Sequence, residues 1–105
     1  MINARTELSK ILEGKNIECV NIILGSEWDE YDPLREIILV KNYTIKQFET
    51  FAKEMDFEYD SGFGSQKIKG FVWLKDGTWL ERGEYDGSEW WTHKIRPSIP
   101  LNLLS

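Results

Sequence analysis

Asp76–Thr92 reads DGTWLERGEYDGSEWWT, and its two Asp-Gly pairs decide how the C-terminal half folds. Asp-Gly between β-rich runs is the strongest short hairpin signal, because both residues tolerate the positive φ of a tight turn. The flanking runs are KIKGFVWLK (67–75), TWLERGEY (78–85) and SEWWTHKIR (88–96). Together they predict a three-strand β-meander turning at Asp76-Gly77 and Asp86-Gly87.

Each turn admits a two-residue loop or a three-residue loop closed by a bulge. In the second turn a two-residue loop sets Glu84 directly against Glu89, and like charges opposite each other destabilise a sheet. The three-residue alternative sets Arg82 against Trp90 and Glu81 against Trp91, with a cation–π contact as the gain. The expected register is therefore the latter. The same loop in the first turn pairs Val72 with Leu80 and Trp73 with Trp79. One sheet face then carries Val72, Leu74 and Leu80 and continues toward Arg82 and Trp90. The other carries Phe71, Trp73, Trp79 and Trp91. Whichever face is not core becomes an aromatic shelf that self-associates or holds a flat ligand.

Upstream, Leu8, Ile11 and Leu12 share one helical face in Thr6–Glu13, and Gly14 suits the stop. NIECVNIIL (16–24) is β-branched and apolar on both alternating sets, the pattern of a well-covered strand. GSEWDEYDPL (25–34) has no consistent period and reads as a loop; REIILVK (35–41) restores a strand. Thr44 with Gln47 forms a capping-box pattern, and Ile45, Phe48, Phe51, Ala52 and Met55 follow as one apolar stripe. DFEYDSGFGSQ (56–66) is a connecting loop without the Lys-Ser/Thr of a phosphate-binding loop. Pro97 and Pro100 end regular structure and leave an apolar tail that packs back or binds a neighbour. The order α-β-β-α-β-β-β predicts an α+β domain over 1–105, with an antiparallel sheet of about five strands and helix on one face.

A net charge of −5 argues against binding a phosphate backbone, which needs a basic patch. No apolar run nears the ~20 residues that span a bilayer, and the N-terminus has no apolar signal core. A cytoplasmic protein with no membrane contact is expected. Cys19 is the only cysteine, so no disulfide forms within the chain, and its apolar surroundings predict a buried, inert thiol. His93, the only histidine, is expected to be structural or a hydrogen-bonder at a site's rim.

Three constellations compete for function. Glu81, Glu84, Asp86 and Glu89 form a carboxylate group that could do acid–base work or bind a divalent cation, but solvated turn chemistry with an Arg82 ion pair is the expected reading, since there is no EF-hand spacing and no supporting His cluster. Arg82 with Trp79, Tyr85, Trp90, Trp91 and Glu84 supplies aromatic faces and a guanidinium, which stack a base and hold a phosphate. Trp28, Asp29, Glu30 and Tyr31 make an acidic, aromatic loop suited to a basic partner surface. No metal site, cofactor or catalytic residue is expected.

The meander, the FEYDSGFGSQ approach (57–66) and the closing P-x-I-P (Pro97–Pro100) resemble a group of short uncharacterised proteins from bacteriophages and mobile elements. The resemblance covers residues 57–100. It implies a phage accessory protein that counters a host system such as immunity, and it carries over no catalytic residue. The expectation is a non-enzymatic protein, homo-oligomeric, that sequesters a nucleotide-like signal. The alternative is direct binding of a host defence protein through the acidic and aromatic surfaces.

Overall fold

A computed structural model describes residues 1–26, 30–62 and 64–104. The elements in chain order are β1 (Ile2–Asn3), α1 (Ala4–Leu12), β2 (Ile17–Leu24), β3 (Arg35–Leu39), α2 (Ile45–Glu54), β4 (Glu58–Tyr59), β5 (Ile68–Leu74), β6 (Trp79–Tyr85) and β7 (Ser88–Lys94), closed by a 3-10 turn at Leu101–Leu103. The fold is α+β. An antiparallel five-stranded sheet, ordered β3-β2-β5-β6-β7, carries both helices on one face, and β1 pairs with β4 in a separate two-stranded ribbon.

Local signals place the helices. Asn3 caps α1 by accepting the Thr6 amide at 3.0 Å, two residues earlier than the apolar pattern indicated. The capping box of α2 forms in both directions: Gln47 N–H donates to Thr44 Oγ1 at 3.1 Å, and Thr44 N–H donates to Gln47 Oε1 at 2.8 Å. Phe51 and Met55 of the predicted stripe are buried, but Ile45 in the first turn is exposed. The core lies between the helices and the inner sheet face, where Val20, Ile22, Leu24, Ile37, Leu39, Ile68, Val72, Leu74 and Leu80 meet Ala4, Leu8 and Phe51. A bulge between Ile17 and Cys19 shifts the register of β2 by one, so Ile17 and Val20 both face inward.

Covering only one face corrects two expectations. The strand predicted from 16–24 is not covered on both sides, and Cys19 is half-buried opposite Trp73 on the open face rather than enclosed in the core. The alternate apolar set of β2 earns its place beside other open-face side chains, not under a second layer.

The two Asp-Gly turns differ. In the first, Leu74 N–H donates to Thr78 O and Gly77 N–H donates to Leu74 O, which makes a three-residue loop, and Trp73 pairs with Trp79 as expected. Asp76 fixes that loop by accepting the Thr78 hydroxyl and amide, and Lys15 adds a 3.1 Å ion pair. Those bonds, the Thr78 hydroxyl foremost, hold the Asp76 carboxyl down at about 2. In the second turn Asp86 (φ 50) and Gly87 (φ 86) both adopt left-handed backbone, the two-residue type I′ geometry. Arg82 therefore pairs with Trp91, Gly83 with Trp90 and Glu84 with Glu89. The register expected from like-charge repulsion is overturned. A one-residue slip exchanges faces: Trp91 enters the core and Trp90 joins Phe71, Trp73 and Trp79 outside.

Among the described residues, no helix is long and apolar enough to cross a membrane.

Candidate functional site

The reason the second register is tolerated is found on the inner face. The β5–β6 ladder ends at Phe71↔Glu81, whereas β6 stays paired with β7 as far as Tyr85↔Ser88. Beyond Gly70 the strands β5 and β6 diverge, and the Lys67 and Ile68 amides take a side-chain acceptor in place of a strand. The carboxylate of Glu89 fills that gap, accepting from Lys67 N–H at 2.7 Å and Ile68 N–H at 3.0 Å. Glu89, although it stands opposite Glu84 in the register, is thus not a solvated turn acid. It is buried, its charge met by two amides and by Arg82 Nη2 at 2.9 Å.

Arg82 is held through both terminal nitrogens, while its Nε is buried without a hydrogen-bond partner among the described residues. Its Nη1 donates to Glu7 Oε2 at 3.1 Å, and its Nη2 donates to the Tyr59 hydroxyl as well as to Glu89. The Tyr59 hydroxyl in turn donates to Glu7. The guanidinium lies 5.1 Å from the Trp91 ring and 5.6 Å from the Tyr59 ring. The cation–π contact expected with Trp90 is therefore made with Trp91, on the inner face. Burial works to lower the Arg82 pKa, but the bond to Glu89 and the charge of Glu7 outweigh it and raise it. The side chains of Arg82 and Glu89 are each 1% exposed, so no face of the guanidinium is presented to a ligand's phosphate.

Sequence reasoning missed Glu7 and Tyr59. Tyr59 sits on β4, a two-residue strand, too short to show any period. Its pairing with β1 (Ile2↔Tyr59) sets it beside the first turn of α1, where Glu7 lies.

The phenol of Tyr59 titrates above its ordinary value of 10.0, chiefly because it is buried and secondly because it donates to Glu7; Arg82 pulls the other way. A raised folded-state pKa means stabilisation that is complete below the ordinary phenol range and lost as pH rises past it. In an alkaline titration the tyrosinate absorbance should therefore contain a component that rises together with loss of far-UV circular dichroism, absent in Tyr59→Phe. Ionisation of Tyr59 in a chain that keeps its circular dichroism would contradict this placement.

The remaining nominated residues divide between two surfaces. Trp79 and Trp90 lie on the open sheet face, Trp90 across Gly83, where a Cβ would stand 3.1 Å from the indole Nε1. Glu84 and Tyr85 are exposed at the β6–β7 turn. Glu30 and Tyr31 are exposed in the β2–β3 connection, whereas Trp28 and Asp29 lie outside the described residues. His93 bonds Thr78 Oγ1 at 2.8 Å between neighbouring strands.

Those two loops share one end of the sheet. Leu24 pairs with both Arg35 and Ile68, which brings the 25–34 connection to the start of β5. Lys67 there is ion-paired with Asp32. Glu89 N–H donates to Ser61 O at 2.8 Å, and Gly87 lies against Gly62 and Gly64. Three connections, 25–34, 60–67 and 85–88, therefore converge. They present the exposed carboxylates of Glu30, Asp60, Glu84 and Asp86, with Tyr31 90% and Tyr85 77% exposed. Against them stands Arg35, since Lys67 is already held by Asp32.

A cleft of about 630 Å³ lies between α1 and β7, lined by Ile2, Thr6, Glu7, Lys10, Ile11, Glu13, Trp90 and Trp91 among others. Among the described residues no group of three His, Cys, Asp or Glu side chains is placed to hold a metal ion. In comparisons with protein-family models, curated proteins and solved structures, nothing matches this chain.

Proposed function

We propose that this chain is a non-enzymatic binding protein that docks onto a basic surface of a partner protein through the acidic, tyrosine-bearing end of its sheet. One observation carries the reading: three connections far apart in sequence converge there, with Tyr31, Tyr85 and four carboxylates turned to solvent. Tyrosine supplies large contact area at low entropy cost, and clustered carboxylates steer a basic partner into register. In the phage setting implied by the resemblance, that partner is a protein of the host's defence.

Sequestration of a nucleotide-like ligand is the competing reading, and the cleft beside Trp90 and Trp91 is the feature that favours it. Its size suits a small ligand, but its charged groups are Glu7 and Glu13 against Lys10, which does not attract phosphate.

Affinity capture from host lysate separates the two. The wild-type chain should retain a partner whose association slows as salt rises. Tyr85→Ala should weaken binding roughly thirtyfold, as expected for a hot-spot tyrosine. The pair Glu84→Lys and Asp86→Lys should slow association about tenfold at low salt. A clear rise in melting temperature with a cyclic or linear nucleotide, undiminished in these variants, would instead establish the second reading.

A further inference from the structure

Among the described residues, nothing covers the sheet face away from the helices. Phe71, Trp73 and Trp90 are exposed there, joined by Ile38 and by half-buried Trp79, and Phe71 stacks on Trp73 with ring centroids 5.7 Å apart. The same chain holds a second apolar feature without a seat. Every residue from Lys94 to Leu104 is exposed, including Ile95, Ile99, Leu101, Leu103 and Leu104. Its backbone hydrogen bonds are internal, Leu103 N–H to Pro100 O and Leu104 N–H to Leu101 O.

The tail has the chemistry that aromatic surfaces recognise. Arg96-Pro97-Ser98-Ile99-Pro100 is a P-x-x-P segment preceded by a cation, and Pro100 stands at φ −59, ψ 146, the polyproline II conformation. Such segments are already extended, so little conformational entropy is lost when they dock on exposed aromatic rings. Prolines prevent the tail from adding as an ordinary strand. Glu81, opposite Phe71 on the open face, has no ion-pair partner among the described residues and is available to Arg96.

The exposed surface is large enough to supply an interface with a second molecule. The chain exposes 7539 Å², whereas a compact monomer of 12.4 kDa is expected to expose about 6,100 Å². The excess of about 1,400 Å² exceeds the roughly 800 Å² that each partner contributes to a stable interface. The tail does not lie on its own face. Every residue from Lys94 to Leu104 stays exposed, so the apolar side chains of the tail are not buried on this chain's own sheet.

We propose that two copies of this chain form a two-fold dimer by exchanging tails, Ile95–Leu104 of each lying over Phe71, Trp73, Trp79 and Trp90 of the other. This surface is separate from the acidic end, so the dimer displays two partner-binding ends and the two proposals fail independently.

Sedimentation velocity on the full chain over a range of concentrations tests it. The expected mass is twice 12.4 kDa. The tail variant Ile99→Asp/Leu101→Asp and the face variant Phe71→Gln/Trp73→Gln should each dissociate at least tenfold more readily while keeping wild-type circular dichroism. Mixing the two variants should restore a heterodimer, because one intact tail then meets one intact face. A monomer at every concentration would overturn the proposal. So would a dimer indifferent to the tail change, which is the mark of simple face-to-face stacking, or one indifferent to the face change. Should the paired face variant fold poorly, Trp73→Gln alone serves in its place.

Discussion

Glu89→Gln should destabilise the protein by about 3–5 kcal/mol, although it changes one atom of a side chain. The carboxylate accepts three hydrogen bonds, from Arg82 Nη2 and from the Lys67 and Ile68 amides. A glutamine turns one acceptor into a donor, so at least one of these N–H groups loses its partner inside the protein, and Arg82 keeps only Glu7 as counter-charge. Native domains of this size are stable by about 5–15 kcal/mol, so the loss is a large fraction of the total. At roughly 4–8 °C per kcal/mol, a fall in melting temperature of at least about 12 °C is expected. A double-mutant cycle separates the two roles of Glu89. In an Arg82→Met background Glu89→Gln should cost less, and the remaining cost belongs to the two amides. A melting temperature within about 3 °C of wild type for Glu89→Gln would mean that water reaches this carboxylate.

Gly70→Ala should be as damaging, for a backbone reason. Gly70 adopts φ 130, and a Cβ there would stand 2.2 Å from Asn21 O and 2.9 Å from Ile22 Cα. Both atoms belong to the backbone of β2, to which β5 is paired at Ile22↔Gly70. No rotamer relieves the clash; the two central strands must separate. A cost of about 4 kcal/mol or more is expected, read as a lower urea midpoint at unchanged slope. Gly77→Ala is the control. It also lies at positive φ (88) but meets nothing within 4 Å, so only the conformational penalty of about 1 kcal/mol applies. Equal losses for the two variants would show that strain in φ, not strand contact, sets the requirement at Gly70.

Gly70 and Glu89 belong to one device. Where Gly70 brings β5 close to β2, the β5–β6 ladder ends, and Glu89 takes the place of the missing strand bonds. The reading from sequence had Glu89 as a turn carboxylate in water, and from that premise the repulsion between Glu84 and Glu89 decided the register. The premise failed because the partners of Glu89 are remote: Lys67 and Ile68 lie 22 and 21 residues away. The same local view points Arg82 at a ligand's phosphate. Its actual counter-charge, Glu7, comes from a helix 75 residues earlier in the chain.

What the sequence determined by itself is what short-range physics encodes. The Asp-Gly pairs placed both turns, because few residues adopt positive φ cheaply. Thr44 and Gln47 placed the start of α2 by satisfying its free amides, and β-branched runs placed β2 and β3. Trp73 opposite Trp79 followed once the first loop length was known, and Asp76 with Thr78 fixes that length locally. Only the tertiary structure decided which tryptophan of Trp90-Trp91 is core, whether Arg82 meets a ligand or Glu7, and which loops share an end of the sheet. The physical reason is that a two-residue and a three-residue Asp-Gly turn differ by little in local energy. The choice between them falls to a buried carboxylate whose partners the second hairpin does not contain.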